Sequence, residues 1–211
     1  MKPSEARDIA GSLGTPSKMP GLSYGLPAGK QCPTGSKLIG VKGSTCYKCY
    51  ANNRGFYAMP SVKGGQAKRL AGLYNPLWVE AMVTLINSSI DPNVPYFRWH
   101  DSGDIQDLNH LINIVEVARR CKAINFWLPT REASIVSYYM KLYGIVHPSN
   151  LTIRVSATMV DGKPSKVFKN TSTVVTKSED ATCPAPSQGN KCLTCRMCWD
   201  KRVPNVAYLK H

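Results

Sequence analysis

The chain has 211 residues, 43% of them hydrophobic, enough to bury one sizeable core but not two large domains. No apolar run approaches the roughly 20 residues of a membrane span, and the first residues lack the apolar stretch of a secretion signal, so a soluble cytoplasmic protein without membrane contact is expected. The formal net charge of +14 attracts polyanions, and nucleic acid, DNA or RNA, is the commonest polyanion in a cytoplasm.

In chain order, residues 1–60 are rich in Gly, Pro, Ser and Lys, yet they hold Tyr24, Tyr47, Tyr50, Phe56 and Tyr57, so they read as a cysteine-containing loop region that is ordered. Helical periodicity runs from Ser61 to Leu73, and Asn75-Pro76 reads as a cap opening a second helix, LWVEAMVTLINSS. Short aromatic and β-branched stretches at Pro95–Trp99, Ile124–Leu128 and Leu151–Ser156 then alternate with amphipathic patterns at Leu108–Arg120 and Ala133–Tyr143. This predicts parallel strands joined by helical crossovers, extended by a strand at Thr173–Thr176. The expected fold class is α/β: a partial or open barrel over 61–178 with cysteine-rich segments at both ends, all in one domain. From Asp180 to residue 211 the composition changes to a compact ligand loop with a short tail.

In a reducing compartment, tight cysteine spacing reads as metal ligation rather than disulfide bonding. The C-terminal group, Cys183, Cys192, Cys195 and Cys198, suits a [4Fe–4S] cluster, and Cys32, Cys46 and Cys49 supply three thiolates that would leave one iron of a second cluster open. Zinc is the alternative, with Cys46 and Cys49 joining two C-terminal cysteines in one four-thiolate staple. Cys121, alone at the end of a helix, reads as a buried free thiol.

The polar residues just past the strands form the second signal, because residues beyond the carboxyl ends of parallel strands converge on ligands. His100, Asp101, Asp104, Arg131 and Glu132 are the candidate catalytic groups, as acids and bases, divalent-cation ligands or a substrate clamp. Their plainer roles are a helix cap for Asp104, a helix-dipole partner for Glu132, and an ion pair of Asp101 with Arg98 or Arg131. His110, His147 and His211 read as non-catalytic. The third signal is basic residues among aromatics, Lys48, Tyr50, Arg54, Tyr57, Lys63, Lys68 and Arg69, a pattern suited to unstacked nucleic acid or to plain packing around the cysteine loop.

The segments SKMPGLSYGLPA, GSTCYKCYA, FRWHDSGD, FWLPTRE, IRVSATMVDG and CPAPSQGNKCLTCRMCWD together resemble the bacteriophage family called gene product 88, which implies a phage origin and a host-cell location. More loosely, Cys-x2-Cys-Tyr-Ala after an upstream cysteine, followed by strand–helix units, is similar to radical-SAM-like partial barrels. That similarity implies a cluster on Cys32, Cys46 and Cys49, with S-adenosylmethionine near His100–Asp104, although the first cysteine gap is thirteen residues here and no Gly-Gly-Glu follows the second strand. Three readings follow: an iron–sulfur enzyme acting on nucleic acid, a divalent-metal nuclease with structural zinc, and a non-enzymatic, metal-stapled nucleic-acid-binding protein.

Overall fold

The computed structural model describes residues 1–52, 55–144 and 147–210. Six strands lie in one open sheet in the order β1-β2-β3-β4-β5-β6, every neighbouring pair parallel. They are β1 (Leu22–Tyr24), β2 (Tyr96–Trp99), β3 (Asn125–Thr130), β4 (Leu151–Val160), β5 (Thr171–Val175) and β6 (Asn205–Leu209). The expected parallel α/β sheet is thus present and does not close. Sequence reading placed β2 to β5 but left β1 in a loop and β6 in a tail.

Helices α1 (Pro3–Ala10), α2 (Gly35–Leu38), α3 (Pro60–Gly72), α4 (Trp78–Ser89), α5 (Leu108–Arg120) and α6 (Ala133–Tyr143) complete the order. The start of α5 is set by Asp107, whose carboxylate accepts from the His110 amide at 2.8 Å, so the cap is not Asp104. Asn75 lies before α4 rather than capping it; its side chain accepts from the Leu77 amide in a turn that delivers Trp78 as the first helical residue.

The period of two along each strand sorts side chains onto two faces. Phe97, Trp99, Phe126, Leu128, Leu151, Ile153 and Val155 pack under the helices in the main core, with Trp78, Met82, Leu85, Leu111 and Ile114. The other residues of the same strands, Tyr96 and Trp127, meet Trp199, Val206 and Tyr208 in a second, smaller core. A sheet apolar on both faces must be covered on both, and here the second cover is the C-terminal segment. Its anchor is Arg154, fully buried, whose guanidinium donates to the carbonyls of Met197, Cys198, Thr171, Asp200 and Val203 at 2.8–3.3 Å. Thr152 adds a hydroxyl donated to Trp199 O at 2.7 Å.

Both sheet edges are engaged by the chain itself. Gly14 and Ser23 exchange backbone hydrogen bonds on the β1 side, and the amides of Thr182 and Cys183 both donate to Ala207 O on the β6 side.

Candidate cysteine-lined cleft

Over the sheet face opposite the main core, and reaching the carboxyl ends of β2 and β3, lies a cleft of about 480 Å³ bordered by Arg98, Trp127, Pro129, Ser156, Ser172 and Tyr208 of β2 to β6. Cys32, Cys46 and Cys49 also line it. The loop that carries them is tied to the sheet at three points. The Glu132 carboxylate accepts from Thr34 N at 2.8 Å and Thr34 Oγ1 at 2.7 Å, two residues past Cys32. Arg131 Nε donates to Thr45 Oγ1 at 2.8 Å, beside Cys46. The amides of Thr45 and Val160 then donate to the carbonyls of Thr158 and Gly43, which lashes the loop to the distal half of β4.

Asp104 and Glu132 are therefore spoken for. Asp104, buried, accepts from Thr130 Oγ1 at 2.6 Å and from the amides of Ile105 and Arg131, which locks the β2 end to the β3 end; burial pushes its pKa up to about 6. Glu132 stands at the N-terminus of α6, as expected, but its carboxylate is turned to Thr34, and Asp104 is not the cap of α5. Of the candidate cation ligands, Asp101 and His100 are the two without this structural use.

His100 and Asp101 are the opposite case. His100 is 4% exposed, adopts φ +55°, and among the described residues has no hydrogen-bond partner on either ring nitrogen. A left-handed non-glycine residue costs about 1–2 kcal/mol and is retained where the surroundings hold it for a purpose. Burial drives its pKa well below the ordinary imidazole range, so the ring is neutral, and it packs 5.3 Å from His110. Asp101 uses Oδ2 on the Ser23 hydroxyl, has no partner for its buried Oδ1 among the described residues, and pairs with neither Arg98 nor Arg131. Gly25 makes room for that carboxylate: a Cβ there would fall 2.0 Å from Asp101 Oδ1. Arg98, which the sequence reading did not single out as a site residue, lines the cleft with Nε buried and unpartnered and its guanidinium 4.6 Å from the Trp127 ring centre.

The seven thiols fall into separate groups of three and four, so the zinc staple built from both ends does not form. Cys183, Cys192, Cys195 and Cys198 border a small pocket with Pro184, Ala185, Met197, Trp199 and Val206; Cys198 is buried and the other three are partly exposed. Two of the three Cys-x2-Cys turns close with the same hydrogen bond, Cys49 N to Cys46 O at 3.1 Å and Cys195 N to Cys192 O at 2.8 Å, but their left-handed residue differs in place, Lys48 third in its turn and Leu193 second in its own. Cys121 is buried and separate.

Among the described residues no three His, Cys, Asp or Glu side chains converge on a single-ion position. The sulfurs border volumes instead, and two features of their surroundings bear on ligation. At Gly35 a Cβ would fall 2.8 Å from Cys32 Cβ, with Cys46 Sγ and Cys32 Sγ at contact distances of 3.5 and 3.6 Å, so glycine lets the backbone pass close against the Cys32 side chain. Hydrogen-bond partners also reach the sulfurs, from the backbone at Gly29 to Cys32 and at Ala185 to Cys183, with the Tyr208 hydroxyl 3.1 Å from Cys198 Sγ. Without a bound cation, burial and then the Asp104 charge push the Cys32 thiol up to about 12, and burial pushes Cys198 up to about 12, so ligation must displace protons.

The basic–aromatic set divides. Lys48 and Tyr50 line the cleft, Tyr57 packs 5.8 Å from Tyr50, and Tyr47, Tyr50 and Phe56 are exposed at the rim. Lys63 is exposed on α3, Lys68 pairs with Asp8 on α1, and Arg69 is used structurally, donating to Ser12 O and Gly25 O. Arg54 and His211 lie outside the described residues. Also among the described residues, no helix is long and apolar enough to cross a membrane.

The fold and site define an α/β protein with an open, wholly parallel six-stranded sheet and a cysteine-lined cleft over one face. A family profile described as Gene product 88 matches residues 2–201, and the chain belongs to that family. No curated protein and no solved structure matches it, so the similarity to radical-SAM-like barrels gains no support from relatives.

Proposed function

We propose that the chain is an iron–sulfur enzyme of the radical S-adenosylmethionine type, acting on nucleic acid in the cleft, with the four C-terminal thiols holding a second [4Fe–4S] cluster. The observation that carries this reading is that Cys32, Cys46 and Cys49 open onto the same cleft as the unpartnered polar atoms of Arg98, His100 and Asp101. A three-thiolate cluster, when bound, supplies an electron and an open iron to a ligand beside it. The protein supplies the rest. Arg98 and His100 can bind a carboxylate and Asp101 an ammonium, a set complementary to the amino-acid end of that cofactor. Asp104 and Glu132 act as positioning residues that fix the loop. Lys48, Arg98, Arg131 and Lys210 make the cleft cationic, and Tyr47, Tyr50 and Phe56 at the rim offer faces on which an unpaired base can stack.

The test is anaerobic purification of the full chain with iron and sulfide analysis, visible and EPR spectra, and reduction by dithionite in the presence of S-adenosylmethionine. About eight irons per chain, brown colour and reductive cleavage of the cofactor are expected. Cys46→Ser should remove half the iron and all the cleavage. A colourless zinc protein, or an iron–sulfur protein that leaves the cofactor intact, overturns the reading. Salt-dependent binding of a single-stranded oligonucleotide checks the substrate class, and no binding at low salt removes it.

A further inference from the structure

The cleft has two polar ends of opposite character. At the β2 end stand Asp101 and the buried, fully engaged Asp104, the two carboxylates that line it among the described residues. At the β4–β6 end the lining holds Arg131, Ser156, Ser172 and Lys210. The carboxylates near that end are turned away, Glu132 to Thr34 and Asp161 to the amide and hydroxyl of Thr176. Strand register brings the lining residues together. Thr130 pairs with Val155, so Arg131, the next residue, stands abreast of Ser156, and Ser156 pairs with Ser172. The two serine hydroxyls lie 2.8 Å apart. Whichever of them donates to the other, the acceptor keeps its own O–H, so the pair always has one hydrogen to give. Arg131 is also held ready: its Nε is occupied by Thr45 Oγ1, and among the described residues its two Nη groups have no partner. Lys210, exposed just past β6, puts a second charge at the same end. A guanidinium edge beside a hydroxyl donor, with no carboxylate competing for either, matches a tetrahedral oxyanion.

We propose that Arg131, Ser156, Ser172 and Lys210 form a phosphate-binding subsite that seats one phosphodiester of a single strand, leaving the adjoining base to Tyr47 and Tyr50 in the same cleft. This rests on the reading that the cleft takes nucleic acid, and it is independent of what the thiols hold. The subsite reads the backbone and not the base, so it sets where a strand lies and carries no sequence preference of its own.

The experiment titrates the full chain, purified anaerobically, with a fluorescent single-stranded oligonucleotide over a range of salt. A nucleoside 5′-monophosphate, the bare nucleoside and inorganic phosphate serve as competitors. The monophosphate should displace the oligonucleotide and the nucleoside should not. Ser156→Ala/Ser172→Ala should bind the oligonucleotide about tenfold more weakly, the loss of one charge-assisted hydrogen bond. Lys210→Ala should flatten the slope of log affinity against log salt by about 0.7, and it carries the test should the serine variant fold poorly. Lys122→Ala, which removes the same charge before β3, should leave the slope unchanged. Oligonucleotide binding that is equal in the wild type, the serine variant and Lys210→Ala overturns the subsite and leaves the nucleic-acid reading intact. No oligonucleotide binding at low salt overturns that reading instead. The subsite then stands, with free phosphate as its ligand, if inorganic phosphate binds the wild type and not the serine variant, and it falls if inorganic phosphate binds both or neither.

Discussion

The two cysteine regions both carry a Cys-x2-Cys turn closed by one backbone hydrogen bond, but they are held in different ways. Residues 32–49 are tied by exposed loops and a few side-chain contacts to the rim of an open cleft, whereas residues 183–200 are clamped under the sheet by a buried guanidinium and a tryptophan core. Anchoring, not ligand type or exposure, separates them, since each group has one buried cysteine and the rest partly exposed.

The sharpest way to break the comparison is Arg154→Ala. Removing the guanidinium strands several buried carbonyls, and a loss of about 3–5 kcal/mol is expected in urea unfolding, together with new proteolysis within residues 178–203. Arg154→Lys should not rescue it, since an ammonium cannot span the same five acceptors.

Asp104 tests the cleft side through pH. Its pKa is raised by burial to about 6, so between about pH 4 and 6 the folded chain keeps a proton that the unfolded chain has released. Stability from this group is therefore largest at the acid end and falls as pH rises through that window, by up to about 3 kcal/mol. The slope of unfolding free energy against pH in the metal-free chain should flatten in Asp104→Asn.

Glu132→Ala should cost about 2 kcal/mol and act locally. Alkylation of Cys32 in the metal-free chain should speed up while that of Cys195 is unchanged, and equal acceleration of both would show that the two regions are not independent. The smallest effect is at the rim. Tyr50→Ala should weaken single-stranded oligonucleotide binding by about 1–2 kcal/mol without altering stability, as measured by fluorescence titration beside thermal melting.

The amphipathic stretches of α5 and α6 and the aromatic runs of β2 to β4 were legible because burial on one face writes a period into the sequence. β1, three residues among prolines and glycines, writes none, and β6 was masked by its position in an apparent tail. The division of cysteines into three and four was also legible. The role of Arg154 was not, nor those of Asp104 and Glu132, because their partners lie on segments distant in sequence. A clue to Trp127 and Arg98 was present: in strands whose alternate residues already fill one core, a tryptophan or arginine between them signals a second covered face.

The lashing of Gly43 and Thr45 to β4 has a consequence for how the molecule is made. Strands join the sheet in the order in which a ribosome releases them, yet the loop bearing Cys46 gains its first ties only with Arg131 and Glu132 and its last with residues 158–160, more than a hundred positions after Cys46. The cleft is thus a long-range closure assembled late, and its thiols wait unprotected through most of synthesis. Loading of the site belongs to the finished chain.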